Sequence, residues 1–204
     1  LNIDGINYYI FPDLKNNSLY TYDEDYRSGK PVSFGIHSPM NLGGKTAERK
    51  VKFEFEGKTY DIKLNYDPDL IDFFQYYPLL AFETYFNAPM SVQSREALYA
   101  ALQPVIGEMD EVRAVNFILR FVQTAFAYKT DPEQFGREKY FFAEEVLHYP
   151  YCDCEDRSVL FSYLVRELLG LNVVALEYPG HMATAVAFKS PFSGNHLVYN
   201  NQRY

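Results

Sequence analysis

Asp153-Cys154-Glu155-Asp156-Arg157-Ser158-Val159-Leu160-Phe161 opens a helical pattern that runs to Leu169, and Gly180-His181-Met182-Ala183-Thr184-Ala185-Val186 opens a strand downstream of it. Within 153–169, Leu160, Leu164 and Leu168 repeat at four, as do Phe161, Val165 and Leu169, and Gly170 stands where a helix C-terminal cap belongs. Residues 173–177 read as a strand, Pro179-Gly180 as a turn and 181–188 as a second strand. The order is therefore thiol at a helix start, helix, strand, turn, and imidazole at a strand start.

A thiol at a helix N-terminus meets unpaired N–H groups and the positive end of the helix dipole, both of which favour the thiolate. Glu155 and Asp156 oppose this by like charge, and Arg157 is expected to offset one of them. Taken alone, Cys154 reads first as an inert buried thiol, because free cysteine packs as a small hydrophobe. The imidazole on a rigid strand changes the balance. His181 shares a strand face with Ala183, Ala185 and Ala187, and the other face carries Met182, Thr184, Val186 and Phe188. A helix packed on the alanine face would approach closely enough for Cys154 and His181 to meet, as nucleophile and base require.

Around this segment the pattern is mixed. Val51, Phe53 and Phe55 alternate with charged residues, and after a turn at Gly57-Lys58 so do Tyr60, Ile62 and Leu64, which predicts a hairpin with one buried face. Residues 6–11 and 19–22 read as further strands, with turns at Asn16-Asn17 and Ser28-Gly29, so residues 1–90 form a β-rich N-terminal region. From Ser91 the period becomes helical, with helices over 94–107 (interrupted near Pro104), over 111–128 and around 140–147, and a polar loop over 130–138. After a loop at 189–195, a third strand is expected at 196–199, a turn at Asn200-Asn201, and a strand beginning at Tyr204. The fold class is α+β.

The segments Asp153-Cys154-Glu155-Asp156-Arg157-Ser158-Val159-Leu160-Phe161, Leu168-Leu169-Gly170-Leu171 and Gly180-His181-Met182-Ala183-Thr184-Ala185-Val186 resemble the core of transglutaminase-like proteins, bacterial members among them, which share the papain-like cysteine peptidase arrangement. The resemblance covers 140–204 and extends over the helices from Ser91, making 91–204 a transglutaminase-like core in which the Cys-bearing helix packs on an antiparallel sheet. It implies that Cys154 is the nucleophile and His181 the base, with the Cys154 N–H as one oxyanion donor. The orienting Asp of that family has no match, and its strand is expected just beyond Tyr204, so the core is read as incomplete at its C-terminus. Before Ser91 the chain resembles nothing that can be named.

The remaining features narrow the class. A formal charge of −8 over 204 residues, with no Lys/Arg cluster, argues against nucleic acid as a partner. No apolar run is long enough to span a bilayer. The two cysteines, Cys152 and Cys154, are too close to pair comfortably, and Cys152 fits no role in the family. A metal reading would need two more ligands, and His37, His148, His181 and His196 show no paired spacing, so neither a metal nor a cofactor is expected. The 19 Tyr and 17 Phe suit packed, half-wet surfaces. The expected activity is acyl transfer at an amide bond of a protein or peptide through a thioester, as a peptidase, amidase, deamidase or crosslinker. The alternative is a catalytically inactive domain of the same fold that binds or scaffolds. A start at Leu1 and an accessory β-rich region suggest an exported bacterial protein.

Overall fold

The computed structural model describes residues 2–3, 6–7, 33–191 and 193–204. Strands β1 (Asn2–Ile3) and β2 (Ile6–Asn7) pair antiparallel. Of the strand expected over 6–11, only these first two residues are described; the strand at 19–22 and the turns at Asn16-Asn17 and Ser28-Gly29 lie outside the described residues.

Strands β3 (Ala47–Phe55) and β4 (Lys58–Tyr66) form the expected hairpin, with Val51 opposite Ile62 and Phe53 opposite Tyr60. The turn falls on Glu56-Gly57, one residue earlier than expected. Both residues have positive φ (49° and 76°), as a tight two-residue hairpin turn demands, and glycine meets that demand without strain. Arg49 lies on the buried face opposite Leu64 and donates through Nη1 to the carbonyls of Val146, Leu147 and Tyr149, at 3.3, 3.4 and 2.6 Å. It thereby ties the hairpin to the chain that leads into Cys154.

Two helices depart from the strand reading of the region before Ser91. The first, α1 (Pro68–Gln75), starts because Asp67 caps it, accepting from the N–H groups of Asp69 and Leu70, with Pro68 in the first turn. The second is α2 (Phe82–Asn87). Ser91 then caps α3 (Val92–Ile106), which runs through Pro104 without the bond that residue would otherwise donate to the Ala100 carbonyl and ends where Gly107 N–H closes on Gln103 O at 2.9 Å. Asp110 caps α4 (Glu111–Thr124), whose buried stripe is Ala114, Val115, Phe117, Ile118, Phe121 and Val122. This helix stops short of 128 because Ala127–Tyr128 (β5) pairs instead, in parallel, with Tyr151–Cys152 (β6). The expected loop at 130–138 holds α5 (Asp131–Phe135), started by a Thr130/Glu133 capping box and ended by Gly136 at φ 70°. The helix expected at 140–147 shrinks to one turn, α6 (Glu145–His148).

Helix α7 (Cys154–Leu164) continues as a π-helical turn, Val165–Leu169, stopped by Gly170 at φ 62°. Residues 158–165 are all buried, so α7 is the central helix, packed by α2, α4, β7 (Asn172–Tyr178) and β8 (His181–Ala187). β7 and β8 pair antiparallel through the Pro179-Gly180 turn, with Tyr178 opposite His181. The C-terminal hairpin consists of β9 (Val198–Tyr199) and β10 (Gln202–Arg203), joined by Asn200 and Asn201, both at positive φ. The return strand therefore forms at 202–203, earlier than the start at Tyr204 that was expected. The molecule is α+β, with small two-stranded sheets among the described residues. One apolar cluster joins Phe53 and Leu64 of the long hairpin, Phe117 and Phe121 of α4, Leu160 and Leu164 of α7, and Val173 and Val186 of the β7–β8 pair. No helix among the described residues is long and apolar enough to cross a membrane.

Candidate active site

Cys154 is the first residue of α7, and what precedes it fixes that position. The β5–β6 pairing delivers the chain to Asp153, whose Oδ1 accepts from Asp156 N–H while Asp156 Oδ2 accepts back from Asp153 N–H. Arg157, one turn on, donates through Nη2 to Phe126 O at 2.9 Å, and its guanidinium lies 5.1 Å above the Tyr128 ring. The offset of acidic charge expected of Arg157 is therefore not made by an ion pair. Its head is turned to a carbonyl and a ring.

The other wall comes from β8. In a two-residue hairpin closed by the Tyr178–His181 pair, the next pair, Glu177–Met182, is not hydrogen-bonded. Met182 N–H therefore points out from the free edge of β8, and it faces the Cys154 sulfur. Cys154 and His181 line one cavity of about 450 Å3, with Tyr128, Gln123, Leu119 and Phe161 among the other wall residues. His181 is exposed and its imidazole makes no hydrogen bond among the described residues, so no carboxylate there orients it. The alanine-face expectation does not hold. Val173 and Val186, opposite each other in register, both belong to the core cluster, and Ala175 and Phe188 pack on it, so the face carrying Met182, Thr184 and Val186 is the one turned inward. The free edge of β8, rather than a face stripped to alanine, meets the start of α7.

The thiol itself is a second correction. Cys154 Sγ donates to Glu155 Oε2 at 2.8 Å. Its pKa is pushed up to about 11, first by burial and then by the bond to Glu155, against which Met182 N–H pulls the other way. The helix dipole, which argued for thiolate, is outweighed by burial and then by a carboxylate in direct contact. Cys152 is also free and is buried, which pushes its thiol up to about 11. Sequence reasoning weighed Glu155 only as a neighbouring charge; adjacency along the chain was the available signal, and the side-chain rotamer was not.

Beneath the cysteine lies a cluster no local pattern announces. Ligand-capable oxygens of Asp131, Asp153 and Asp156, all buried, lie within 4.8 Å of one another, the only such metal-capable group among the described residues. They already accept main-chain donors: Lys139 N–H to Asp131 Oδ2 at 2.7 Å and Phe141 N–H to Asp156 Oδ1 at 2.9 Å. They fasten the 139–141 segment beneath the start of α7. Burial raises Asp131 to about 7 and Asp153 to about 6, and holds Asp156 well above the usual carboxylate range. Of the other histidines, His37 and His196 are exposed, and His148 meets the Tyr66 hydroxyl at 3.1 Å.

Comparison with known proteins finds no matching family model, no matching curated protein and no matching solved structure.

Proposed function

We propose that this chain is a cysteine-dependent acyl-transfer enzyme of the transglutaminase-like, papain-like type, acting on amide bonds of a protein or peptide. The observation that carries the reading is that Cys154, at the start of the central helix, and His181, at the start of β8, line the same cavity. In this mechanism His181 takes the Sγ proton and the sulfur's electron pair attacks the amide carbonyl. The resulting oxyanion is met by the Cys154 N–H, which has no intrahelical acceptor as the first residue of α7, and by Met182 N–H at the strand edge. Collapse expels the amine, which takes the proton from His181 and leaves a thioester. Water or a second amine then opens the thioester, restoring the thiol.

A second reading is favoured by one observation. The thiol is bonded to Glu155, with no hydrogen bond from His181, as suits a non-catalytic member of the same fold that binds or scaffolds. The two are separated by incubating the protein with a peptide mixture and searching for an acyl group on Cys154 by mass spectrometry. A thioester that appears with the native protein and fails to appear with His181→Ala supports the enzyme. Absence of any adduct across substrates and pH supports the binding module.

A further inference from the structure

A carboxylate is a fitting acceptor for S–H and a poor neighbour for S–. With Glu155 Oε2 at 2.8 Å from Cys154 Sγ, ionising the sulfur would set two negative charges in contact. Met182 N–H is the one group among the described residues that favours the ionised sulfur, and the lysine and arginine side chains nearby are engaged elsewhere. From α7 come Asp153, Asp156 and Arg157, and Arg157 is engaged by the Phe126 carbonyl and the Tyr128 ring. From the 136–140 segment come Glu138, whose charge acts on Glu155, together with Tyr140 and Lys139, whose Nζ is paired with buried Glu145 at 2.5 Å. From β5 and the residue after it come Tyr128 and Lys129, and Lys129 lies over the Tyr151 ring. β7 contributes Glu177, α5 contributes Asp131, and β8 contributes exposed His181. None of Glu138, Asp153, Glu155 or Glu177 is in an ion pair among the described residues.

We propose that Glu155 is a lock on the Cys154 nucleophile, holding it as a hydrogen-bonded thiol, and that a cationic group on the substrate opens the lock by pairing with Glu155. The inference rests on the acyl-transfer reading and adds to it the regulation of the site and a substrate class, a peptide or amide bearing an ammonium or guanidinium group near the bond attacked. Once Glu155 is paired, its oxygen is no longer the thiol's acceptor and its charge is compensated, so the Sγ proton can pass to His181. Glu155 is thus a positioning residue: it acts through the sulfur and forms no bond to the reacting carbonyl. Such a lock keeps an exposed-rimmed thiol unreactive toward small electrophiles until the proper charge arrives.

The test reads the sulfur directly and needs no substrate. The 204-residue chain is treated at pH 7 with three methanethiosulfonates of similar size, one carrying a trimethylammonium group, one neutral and one carrying a sulfonate. Labelling of Cys154 is followed by peptide mass spectrometry, which separates it from Cys152, with rates normalised to a simple free thiol. The cationic reagent is expected to exceed the anionic one by about tenfold or more, a preference that shrinks at high salt. In Glu155→Gln the neutral reagent is expected to react about tenfold faster, one unit of thiol pKa, and the charge preference to fall several-fold. No preference in the native protein, or a neutral rate in Glu155→Gln that is unchanged or lower, overturns the lock. Should the variant not fold, a native protein that shows no charge preference still overturns the lock. Either failure leaves the acyl-transfer reading standing, because that reading is decided by acylation of Cys154 and its loss in His181→Ala.

Discussion

Asp153 and Asp156 cap each other across the first turn of α7, Asp153 Oδ1 accepting the Asp156 N–H at 3.4 Å and Asp156 Oδ2 accepting the Asp153 N–H at 3.2 Å. The exchange holds Cys154 between them at the helix start. It also crowds two carboxylates against Asp131, and that crowding has a pH signature.

Burial raises all three carboxyls, Asp131 to about 7, Asp153 to about 6 and Asp156 beyond the usual range, from a reference of 3.8. The folded protein therefore keeps protons that the unfolded chain releases first. The stability tied to this cluster is complete below about pH 4 and is lost as pH rises through about 6 to 7. Thermal midpoints should accordingly fall between pH 5 and pH 7.5, and Asp131→Asn, which keeps an acceptor for Lys139 N–H, should flatten the slope. A midpoint that rises over this window, with the same slope in the variant, contradicts the assignment.

Arg49→Ala removes the donor shared by the carbonyls of Val146, Leu147 and Tyr149, and the cation 5.3 Å above the Phe126 ring. Part-buried acceptors lose a charged partner, which costs about 2–3 kcal/mol. Urea unfolding should register that loss. The chain entering Cys154 should loosen with it, detectable as faster amide exchange at Tyr151 and Cys152.

Phe121 is fully buried, and its ring lies 5.3 Å from Phe53 on β3 and 5.5 Å from Phe126 at the end of α4. It joins the long hairpin to the helical half, so Phe121→Ala should cost about 3–5 kcal/mol in chemical denaturation. A cost below about 1 kcal/mol would mean that the two halves are not cemented through this ring.

His181 is exposed and its imidazole makes no hydrogen bond among the described residues. Its replacement by alanine should therefore leave unfolding within about 0.5 kcal/mol. Under the proposed function the same variant slows acylation of Cys154 by about 100-fold or more. Equal acylation by native protein and variant removes His181 as the base.

Without substrate, Cys154 should be a sluggish thiol. Its alkylation by iodoacetamide should keep rising beyond pH 9 toward a midpoint near 11, the value that burial and Glu155 give it. A midpoint below about 8 would show that the bond to Glu155 does not persist in solution.

Much of the ordering of this protein was legible along the chain. The four-residue repeat of Leu160, Leu164 and Leu168, the stop at Gly170, the Pro179-Gly180 turn and the alternation from Val51 to Leu64 are all local patterns, and each became the element it implied. The misses were local too. α1 and α5 are too short for periodicity, yet Asp67-Pro68 and the Thr130/Glu133 box, read as caps, would have announced them. Chain distance also sufficed to keep Cys152 and Cys154 free of each other.

What only the tertiary structure decided was the chemistry of the sulfur. A helix start argues for thiolate wherever it occurs, but the sign of the effect at Cys154 depends on how deeply packing buries the sulfur, on the rotamer of the neighbouring Glu155, and on a strand edge whose free N–H faces it. Periodicity is set by neighbours a few residues apart and survives in one dimension. Electrostatics falls off with distance through space and grows with burial, and both quantities exist only once the chain has packed.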